Sequence, residues 1–132
     1  MILDSSALIA IVLREPEAPR IVWAITSADR ARVGSPTLLE AEMVARGRRG
    51  RGGSRRLAAI LEHFEIEEIP FGPEHRAAAA AAFADHGKGR SSTRLNFGDC
   101  MAYALAKVEG QPLLSLDEAF AATDVELVPL GR

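Results

Sequence analysis

The chain opens with Met1-Ile2-Leu3-Asp4-Ser5-Ser6, and seven apolar residues follow at positions 7–13. A short apolar run that stops at an aspartate and continues into serines is typical of a strand that leads directly into a helix, because serine is a favoured N-cap. The apolar stretch after the serines predicts that this helix is buried. A strand followed at once by a buried helix is the first part of a βαβ unit, so these residues indicate a parallel sheet.

The same alternation continues along the rest of the chain. Further strands are predicted at 32–34, 66–69 and 112–116, with a last, edge strand at 125–128. Further helices are predicted from Pro16 to about residue 28, from Pro36 behind an N-cap at Ser35, from Pro73 to the polar loop at 87–95, from 98 to 109 before Gly110, and as a short turn at 117–121. Four glycines within 47–53 predict a loop or a helical hairpin turn. We therefore expect an α/β protein with a mostly parallel sheet.

The length and composition limit the possible classes of protein. A chain of 132 residues fits one domain, which we expect to span residues 1–132. Its 16 basic and 18 acidic residues give a net charge of −2, which excludes a uniformly basic nucleic-acid binder. The single cysteine excludes an intramolecular disulfide. The sequence has no run of 18 apolar residues and no basic leader, so we expect a cytoplasmic protein with neither a membrane span nor a signal peptide.

Four acidic residues fall where predicted strands or helices begin or end. Asp4 and Asp117 follow apolar strands, and Asp99 begins a helix. Glu40 lies one turn into the helix after the second strand. Each of them alone fits helix capping or a solvated face, but four carboxylates at one sheet edge would repel one another unless a divalent cation neutralised them. Since ligands bind beyond the carboxyl ends of parallel strands, we predict a Mg²⁺ or Mn²⁺ site for phosphoryl chemistry there.

Other reactive side chains lack a matching pattern. His63, His75 and His86 do not have the spacing of a zinc motif, and the polar neighbours of His63 and His75 predict surface positions. Cys100 follows Asp99 in a predicted helix without a partner motif, so a buried structural thiol is expected.

The motifs in their order resemble those of PIN-domain ribonucleases. The first three are Met1-Ile2-Leu3-Asp4-Ser5-Ser6-Ala7-Leu8, Ser35-Pro36-Thr37-Leu38-Leu39-Glu40-Ala41 and Leu95-Asn96-Phe97-Gly98-Asp99-Cys100. The fourth is Leu113-Leu114-Ser115-Leu116-Asp117 with Phe120. The stretch 94–107 is especially similar to the VapC toxins of bacterial VapBC toxin–antitoxin modules, and the resemblance covers the whole chain.

This resemblance implies a fold, an activity and partners. The fold would be a three-layer α/β/α sandwich, and the activity a Mg²⁺- or Mn²⁺-dependent endoribonuclease acting as a toxin. A VapB antitoxin would neutralise it by docking on the exposed apolar surface of the N-terminal helices, and the toxin would form a homodimer and a heterotetramer or larger assembly with that antitoxin. In the mechanism we expect, Asp4 and Asp99 are the principal metal ligands, and Glu40 and Asp117 act through waters or a second cation.

The fourth acidic position of the family has more than one candidate here. Many relatives carry a Lys-Gly-acidic-x-Phe pattern, whereas this chain has Leu116-Asp117-Glu118-Ala119-Phe120. Glu118 therefore occupies the acidic place and Asp117 the glycine place. Asp124 is a further candidate, although capping or solvation of an edge strand explains it equally well.

Nine of the 16 basic residues lie in two segments without any acidic residue. Segment 46–56 holds six arginines, and segment 86–94 holds Lys88, Arg90 and Arg94. Arginine and lysine contacts to phosphate are the usual source of sequence-independent affinity for nucleic acids. We expect Lys88, Arg90 and Arg94 to contact RNA, because their segment leads into Asp99, whereas 46–56 fits a solvated loop equally well. Aromatic residues are few, so base stacking is expected to be a minor contribution.

Two other functions fit the same residues. One is a metal-dependent phosphoesterase that acts on DNA or on a nucleotide. The other is a catalytically silent module whose carboxylates contact an arginine of a protein partner. A substrate panel would separate the first from a ribonuclease, and a metal titration would separate the second.

Overall fold

A computed structural model of the chain describes residues 1–87 and 94–131. Its centre is a four-stranded sheet in the order β3-β2-β1-β4. The strands are β1 (Ile2–Leu3), β2 (Arg32–Gly34), β3 (Glu67–Ile69) and β4 (Leu113–Leu114). Every pairing is parallel, and β1 lies between β2 and β4 through the partners Ile2–Arg32 and Ile2–Leu113. The expected parallel sheet is confirmed, and the strand at the chain's beginning lies in its interior.

Helices connect the strands and cover both faces of the sheet. They are α1 (Ser5–Val12), α2 (Ala18–Ser27), α3 (Ser35–His63), α4 (Pro73–His86) and α5 (Phe97–Glu109), and a 3₁₀ helix follows at Glu118–Ala122. The backbone of Gly110 is left-handed at the end of α5, as a glycine C-cap requires. No helix in the described ranges has an apolar stretch long enough to cross a bilayer.

Two apolar clusters lie on opposite faces of the sheet. Leu3 and Leu114 point into a cluster with buried side chains of α1, α2 and α3. Ile2 and Leu113 point the other way, into a cluster formed largely by α5 with a contribution from α4. Adjacent residues of a strand face opposite sides, so each two-residue strand contributes to both cores. The result is the α/β/α sandwich that the resemblance implied.

Three predicted details of the backbone are wrong. The N-caps of α1 and α3 are Asp4 and Gly34 rather than serines, and Ser35 instead donates a 2.6 Å hydrogen bond to Oε2 of Glu68. A neighbouring strand therefore competes for the serine hydroxyl that would have capped the helix. The expected edge strand at 125–128 is reduced to one bridge between Leu113 and Leu127, and Pro129 follows with no N–H to extend the ladder.

The glycine-rich segment is a sharp kink between two segments of one helix, which agrees with the predicted helical hairpin turn and not with the predicted loop. Helix α3 continues on both sides of Gly50, whose φ of 60° and ψ of −147° are not helical. Only glycine adopts such a conformation without strain. A Cβ on Gly53 would collide with the carbonyl oxygen of Ala45, so the two segments of α3 approach each other closely. Both segments pack into the same core, through residues such as Leu38 and Leu57.

Candidate active site

The parallel sheet brings the strand-terminal aspartates to one edge. Asp4 follows β1, and Asp117 lies three residues beyond its neighbour β4. Asp4 is almost completely buried, and so is Asp99 in the first turn of α5. Glu40 is half-buried in the second turn of α3. Asp99 interacts electrostatically with both Asp117 and Asp4, and Glu40 with Asp4. The structure thus brings together the four carboxylates that the sequence placed at one edge.

Serine hydroxyls hold the carboxylate of Asp4. Its Oδ2 accepts hydrogen bonds from Ser6 (2.9 Å) and from Ser115 (2.8 Å), and the two hydroxyl oxygens are 3.2 Å apart. The amide of Leu116 donates to Ser6 Oγ. Asp4 makes no side-chain cap for α1. Its carboxylate is therefore used to join β1, α1 and the end of β4, which sequence reasoning did not foresee for these serines.

Asp117 is fixed by the same serine and by the 3₁₀ helix. Its amide donates to Ser115 Oγ (3.0 Å), and its Oδ1 accepts a hydrogen bond from the amide of Ala119 (2.9 Å). Ser115 consequently links Asp4 to Asp117. A serine two residues before Asp117 was the available sequence pattern for this link.

A reciprocal capping box orients Asp99. Asn96 Oδ1 accepts from the amide of Asp99 (2.8 Å), and Asp99 Oδ2 accepts from the amide of Asn96 (3.1 Å). This is the arrangement in which two otherwise unpaired helix donors are satisfied together. The side chain of Asp99 therefore has one defined orientation at the start of α5.

Gly98 lets helix α5 approach Glu40. A Cβ at position 98 would stand 2.7 Å from Oε2 and 2.8 Å from Oε1 of Glu40, which is closer than any real contact. The Ser5 side chain also interacts with the Glu40 carboxylate and opposes the rise of its pKa. The absence of a side chain at Gly98 is thus part of the site, and only the tertiary packing of α3 against α5 shows it.

Burial raises the pKa of three of these carboxylates, those of Asp4, Glu40 and Asp99. Desolvation raises the pKa of Asp4, and the charge of Asp117 adds to the effect. It also raises the pKa of Asp99 to about 7, assisted by a hydrogen bond with Asp117 and by the negative charges around it. Desolvation also raises the pKa of Glu40, and the negative charge of Asp4 adds to that rise. Among the described residues no salt bridge joins any of these carboxylates to a basic side chain.

The donor set fits a hard divalent cation. All donors are carboxylate or hydroxyl oxygens, which Mg²⁺ and Mn²⁺ prefer. Within residues 1–87 and 94–131, no group of three Asp, Glu, His or Cys side chains is placed so that it could hold a metal ion by itself. Mg²⁺ commonly keeps several waters and binds through only one or two carboxylates, so an open arrangement of Asp4 and Asp99 suits it better than a dedicated cage would.

The remaining acidic candidates lie in other surroundings. Glu118 is exposed on the 3₁₀ helix. Asp124 accepts a hydrogen bond from the Tyr103 hydroxyl and pairs with Lys107 Nζ at 3.0 Å, with 62% of its side chain exposed. Of Asp117 and Glu118, only Asp117 shares a hydrogen-bond partner with Asp4.

One histidine prediction is wrong and the cysteine prediction is confirmed. His75 is buried, with Nδ1 accepting from the amide of Gly72 (2.9 Å) and Nε2 lying 3.1 Å from Oε2 of Glu109. Its polar sequence neighbours face solvent, while the partners that bury it come from elsewhere in the chain. His63 is exposed as expected, and Cys100 is a buried free thiol.

The basic segments divide into exposed and structural arginines. Arg94 is exposed with a positive φ of 53°, whereas Lys88 and Arg90 lie outside the described residues. In segment 46–56 the exposed arginines are Arg46, Arg48, Arg49, Arg51 and Arg55. Arg56 differs, because its Nε and Nη2 donate to the carbonyls of Val12 (3.1 Å) and Ile11 (3.2 Å). It therefore caps the end of α1.

The model of the PIN-domain family matches residues 1–126 of the chain. The chain belongs to the PIN-domain family. Among curated proteins, this PIN domain is 39% identical over 128 residues to Ribonuclease VapC of Mycolicibacterium smegmatis, covering 97% of this chain and 99% of that protein. It is 37% identical over 130 residues to Ribonuclease VapC30 of Mycobacterium tuberculosis, covering 98% and 99%. The resemblance that the motifs carry is confirmed.

Solved structures share the fold of this PIN domain. The VapC20 toxin of Mycobacterium tuberculosis, described as cleaving the sarcin–ricin loop, superposes with a TM-score of 0.75 at 17% identity, covering 97% of this chain and 98% of that one. VapBC2 from Rickettsia felis, bound to a DNA fragment from its promoter, gives 0.78 at 12% identity, covering 97% and 96%. At these identities the likeness supports the architecture alone.

Proposed function

We propose that this PIN domain is the toxin of a VapBC-type module and hydrolyses RNA phosphodiester bonds as a Mg²⁺- or Mn²⁺-dependent endoribonuclease. The observation that carries the proposal is the group of Asp4, Glu40, Asp99 and Asp117 at one sheet edge, brought there by four separate elements. Burial and mutual repulsion raise the pKa of three of them, and a cation would relieve both. The whole-length similarity to VapC ribonucleases supports RNA as the substrate.

Asp4 and Asp99 would hold the metal, and Glu40 and Asp117 would bind its waters. A bound cation supplies a water of lowered pKa and offsets negative charge that develops on the phosphate. The chain keeps these ligands in place before substrate arrives. Ser6 and Ser115 donate to one oxygen of Asp4, and the capping box with Asn96 holds Asp99. In metal sites, loss of a residue that hydrogen-bonds a metal ligand typically lowers metal affinity or activity by about 10- to 100-fold.

The RNA and antitoxin partners are part of the same proposal. Arg94 is exposed close to the start of α5 and suits an RNA phosphate. Lys88 and Arg90 stay predictions for the same role. On the N-terminal helices, Trp23, Leu39 and Met43 are exposed apolar side chains. Such a surface suits an antitoxin of the VapB type or a second toxin copy, so a homodimer that binds antitoxin as a larger complex is expected.

Asp4→Asn tests the catalytic proposal. We expect the variant to lose at least about 100-fold in RNA cleavage in Mg²⁺ or Mn²⁺ buffer, since loss of a partner outside the metal shell alone can cost that much. Glu42→Gln is the matched control, because Glu42 is exposed on α3 near Glu40 and has no place in the site. Undiminished cleavage by Asp4→Asn, or full wild-type activity in excess EDTA, would show that the metal site is wrong.

A binding module without activity is the second candidate. The observation that favours it is that the described residues include no group of three Asp, Glu, His or Cys side chains placed to hold a metal ion. Calorimetric titration with Mg²⁺ and Mn²⁺ separates the two. Binding by wild-type protein that disappears in Asp4→Asn supports the enzyme, whereas no binding at all leaves only the module. A panel of RNA, DNA and nucleotide substrates then tests the remaining alternative of a different phosphoesterase.

A further inference from the structure

Phe97 is the most exposed of the large apolar side chains in the described chain. It is 80% exposed at the first position of α5, and it belongs to neither apolar cluster. Burial of a phenylalanine is normally favourable, so nothing in the packing of this domain accounts for an aromatic residue here. A single exposed apolar residue is ordinary elsewhere on a surface. Phe97 differs from such residues because it lies next to the candidate active site.

Phe97 stands directly at the carboxylate edge. The next residue, Gly98, lies against the carboxylate of Glu40, and the one after it is Asp99. Gly98 faces Glu40, and consecutive helical side chains point about 100° apart, so the Phe97 ring flanks this edge on the side away from Asp99. An RNA phosphate held at this edge would therefore place its neighbouring nucleotide within reach of the Phe97 ring.

The backbone around Phe97 is held firmly although its ring is free. Leu95 is fully buried two residues earlier, and Asn96 and Asp99 form the capping box across it. The ring is consequently a fixed platform with only two side-chain torsions to order. Rigid aromatic anchors of this kind bind at low cost in conformational entropy.

The surroundings favour a nucleobase over a protein surface. The sequence neighbours Asn96 and Gly98 extend no apolar patch from the ring, and the acidic Asp99 lies in the same turn of α5. Arg94 is exposed three residues earlier and offers a cation for phosphate. A flat apolar ring beside phosphate-binding groups is the combination that binds single-stranded nucleic acid.

We propose that Phe97 stacks on an unpaired base of the RNA next to the cleaved phosphate and thereby positions the strand in the site. This inference rests on the proposed function and deepens it. It reverses the sequence-based expectation that stacking contributes little, because that expectation counted aromatic residues and could not show where one was exposed. The substrate it selects is single-stranded, since a paired base cannot offer its face.

Binding without cleavage tests the stacking directly. Fluorescence anisotropy in Mg²⁺ buffer would measure the affinity of labelled oligoadenylate with cleavage-resistant phosphorothioate linkages, and of an abasic chain of the same length and linkage. We expect Phe97→Ala to bind oligoadenylate about 5- to 100-fold more weakly than wild type, the range expected for one stacked base, and to bind the abasic chain equally well. Phe97→Trp should keep wild-type affinity. Phe83→Ala is the control, because Phe83 is also exposed but lies on α4.

The outcomes separate this inference from the proposed function. A base-dependent loss in Phe97→Ala supports stacking even if purified protein cleaves no RNA, in which case only the proposed hydrolysis fails. Equal binding of oligoadenylate by wild type and Phe97→Ala overturns the stacking, as does no RNA binding by wild type. An equal loss on the abasic chain also overturns it. So does a change from dimer to monomer in sedimentation, which would assign Phe97 to an interface between copies.

Discussion

The carboxylate edge and the arginine-rich kink of α3 are opposites in construction. At the carboxylate edge, Asp4 and Asp99 are buried and held by named hydrogen bonds. At the kink, the five arginines Arg46, Arg48, Arg49, Arg51 and Arg55 are exposed, and no described carboxylate lies within salt-bridge distance of them. The carboxylate edge is buried and holds like charges close together, whereas the arginines of the kink are solvated. The net charge of −2 conceals this separation, because it only records that 16 basic and 18 acidic residues nearly cancel over the whole chain.

This difference assigns separate physical roles to the two regions. Desolvation raises the pKa of Asp4, Glu40 and Asp99, so ionising them costs stability in the metal-free fold, and such a cost is typical of functional sites. Solvated arginines carry no such cost, because water satisfies them. Changes at the carboxylate edge should therefore affect activity and stability in opposite directions, whereas changes to the five exposed arginines of the kink should affect only binding.

Asp99→Asn should show the largest effect of this kind. Activity should fall at least about 100-fold, because a ligand is lost where even a supporting partner is worth that much. Stability in EDTA should change in the opposite direction. The pKa of Asp99 is raised to about 7 in the fold, so wild type is most stable below the pKa of an unfolded aspartate, near 4, and loses stability as the pH rises through 7.

Thermal unfolding across pH checks this prediction. In EDTA, the Tm of wild type should fall between about pH 4 and pH 8 more steeply than the Tm of Asp99→Asn, which has no proton to lose at this position. Above pH 7 the variant should be the more stable protein. The asparagine still offers an oxygen to the amide of Asn96, so the capping box is kept. If Tm depended on pH equally in the two proteins, the pKa of Asp99 would not be raised in the fold and the prediction would be wrong.

Gly98→Ala should produce the next largest effect. The added Cβ would displace the flexible carboxylate of Glu40, which now lies 2.7 Å from that position, while alanine favours the helix by about 1 kcal/mol. We expect about a tenfold or greater loss of RNA cleavage with unchanged or raised Tm. Gly47→Ala is the matched control, because Gly47 is also helical and has open space around its Cβ position. The prediction would be contradicted if the activity of Gly98→Ala fell only as much as the fraction of folded protein did.

The sequence predicted the edge better than it predicted what surrounds it. Asp4 and Asp117 follow apolar runs, and the rule that parallel strands end at one edge brings them together without knowledge of packing. The predicted serine N-cap of α3 is wrong because the Ser35 hydroxyl donates instead to Glu68 on strand β3. His75 was wrong because Glu109, its partner, is 34 residues away.

Contacts between distant segments explain the other omissions. Gly98 is meaningful only because Glu40 lies against it, and Phe97 only because the packing leaves its ring in solvent. Periodicity finds the face that a helix buries, but it does not find which distant residue meets that face. Local patterns therefore located the acidic residues, while the geometry that makes them a candidate site depends on tertiary structure.

The smallest effect should come from the kink, where Arg48 and Arg51 are compared with Arg56. Arg48→Gln/Arg51→Gln should weaken RNA binding a few-fold and lower the slope of log affinity against log salt by about 1.4, since each phosphate contact on a single strand contributes about 0.7. The Tm should stay unchanged, because both side chains are solvated. Arg56→Gln should do the reverse: it loses donors to the carbonyls at the end of α1, costing about 1 kcal/mol, but keeps the salt slope. Anisotropy titrations at several salt concentrations, with Tm measured alongside, check both variants. An unchanged slope in the double variant would show that the kink does not contact RNA. The RNA-binding surface would then comprise only the carboxylate edge and its neighbours.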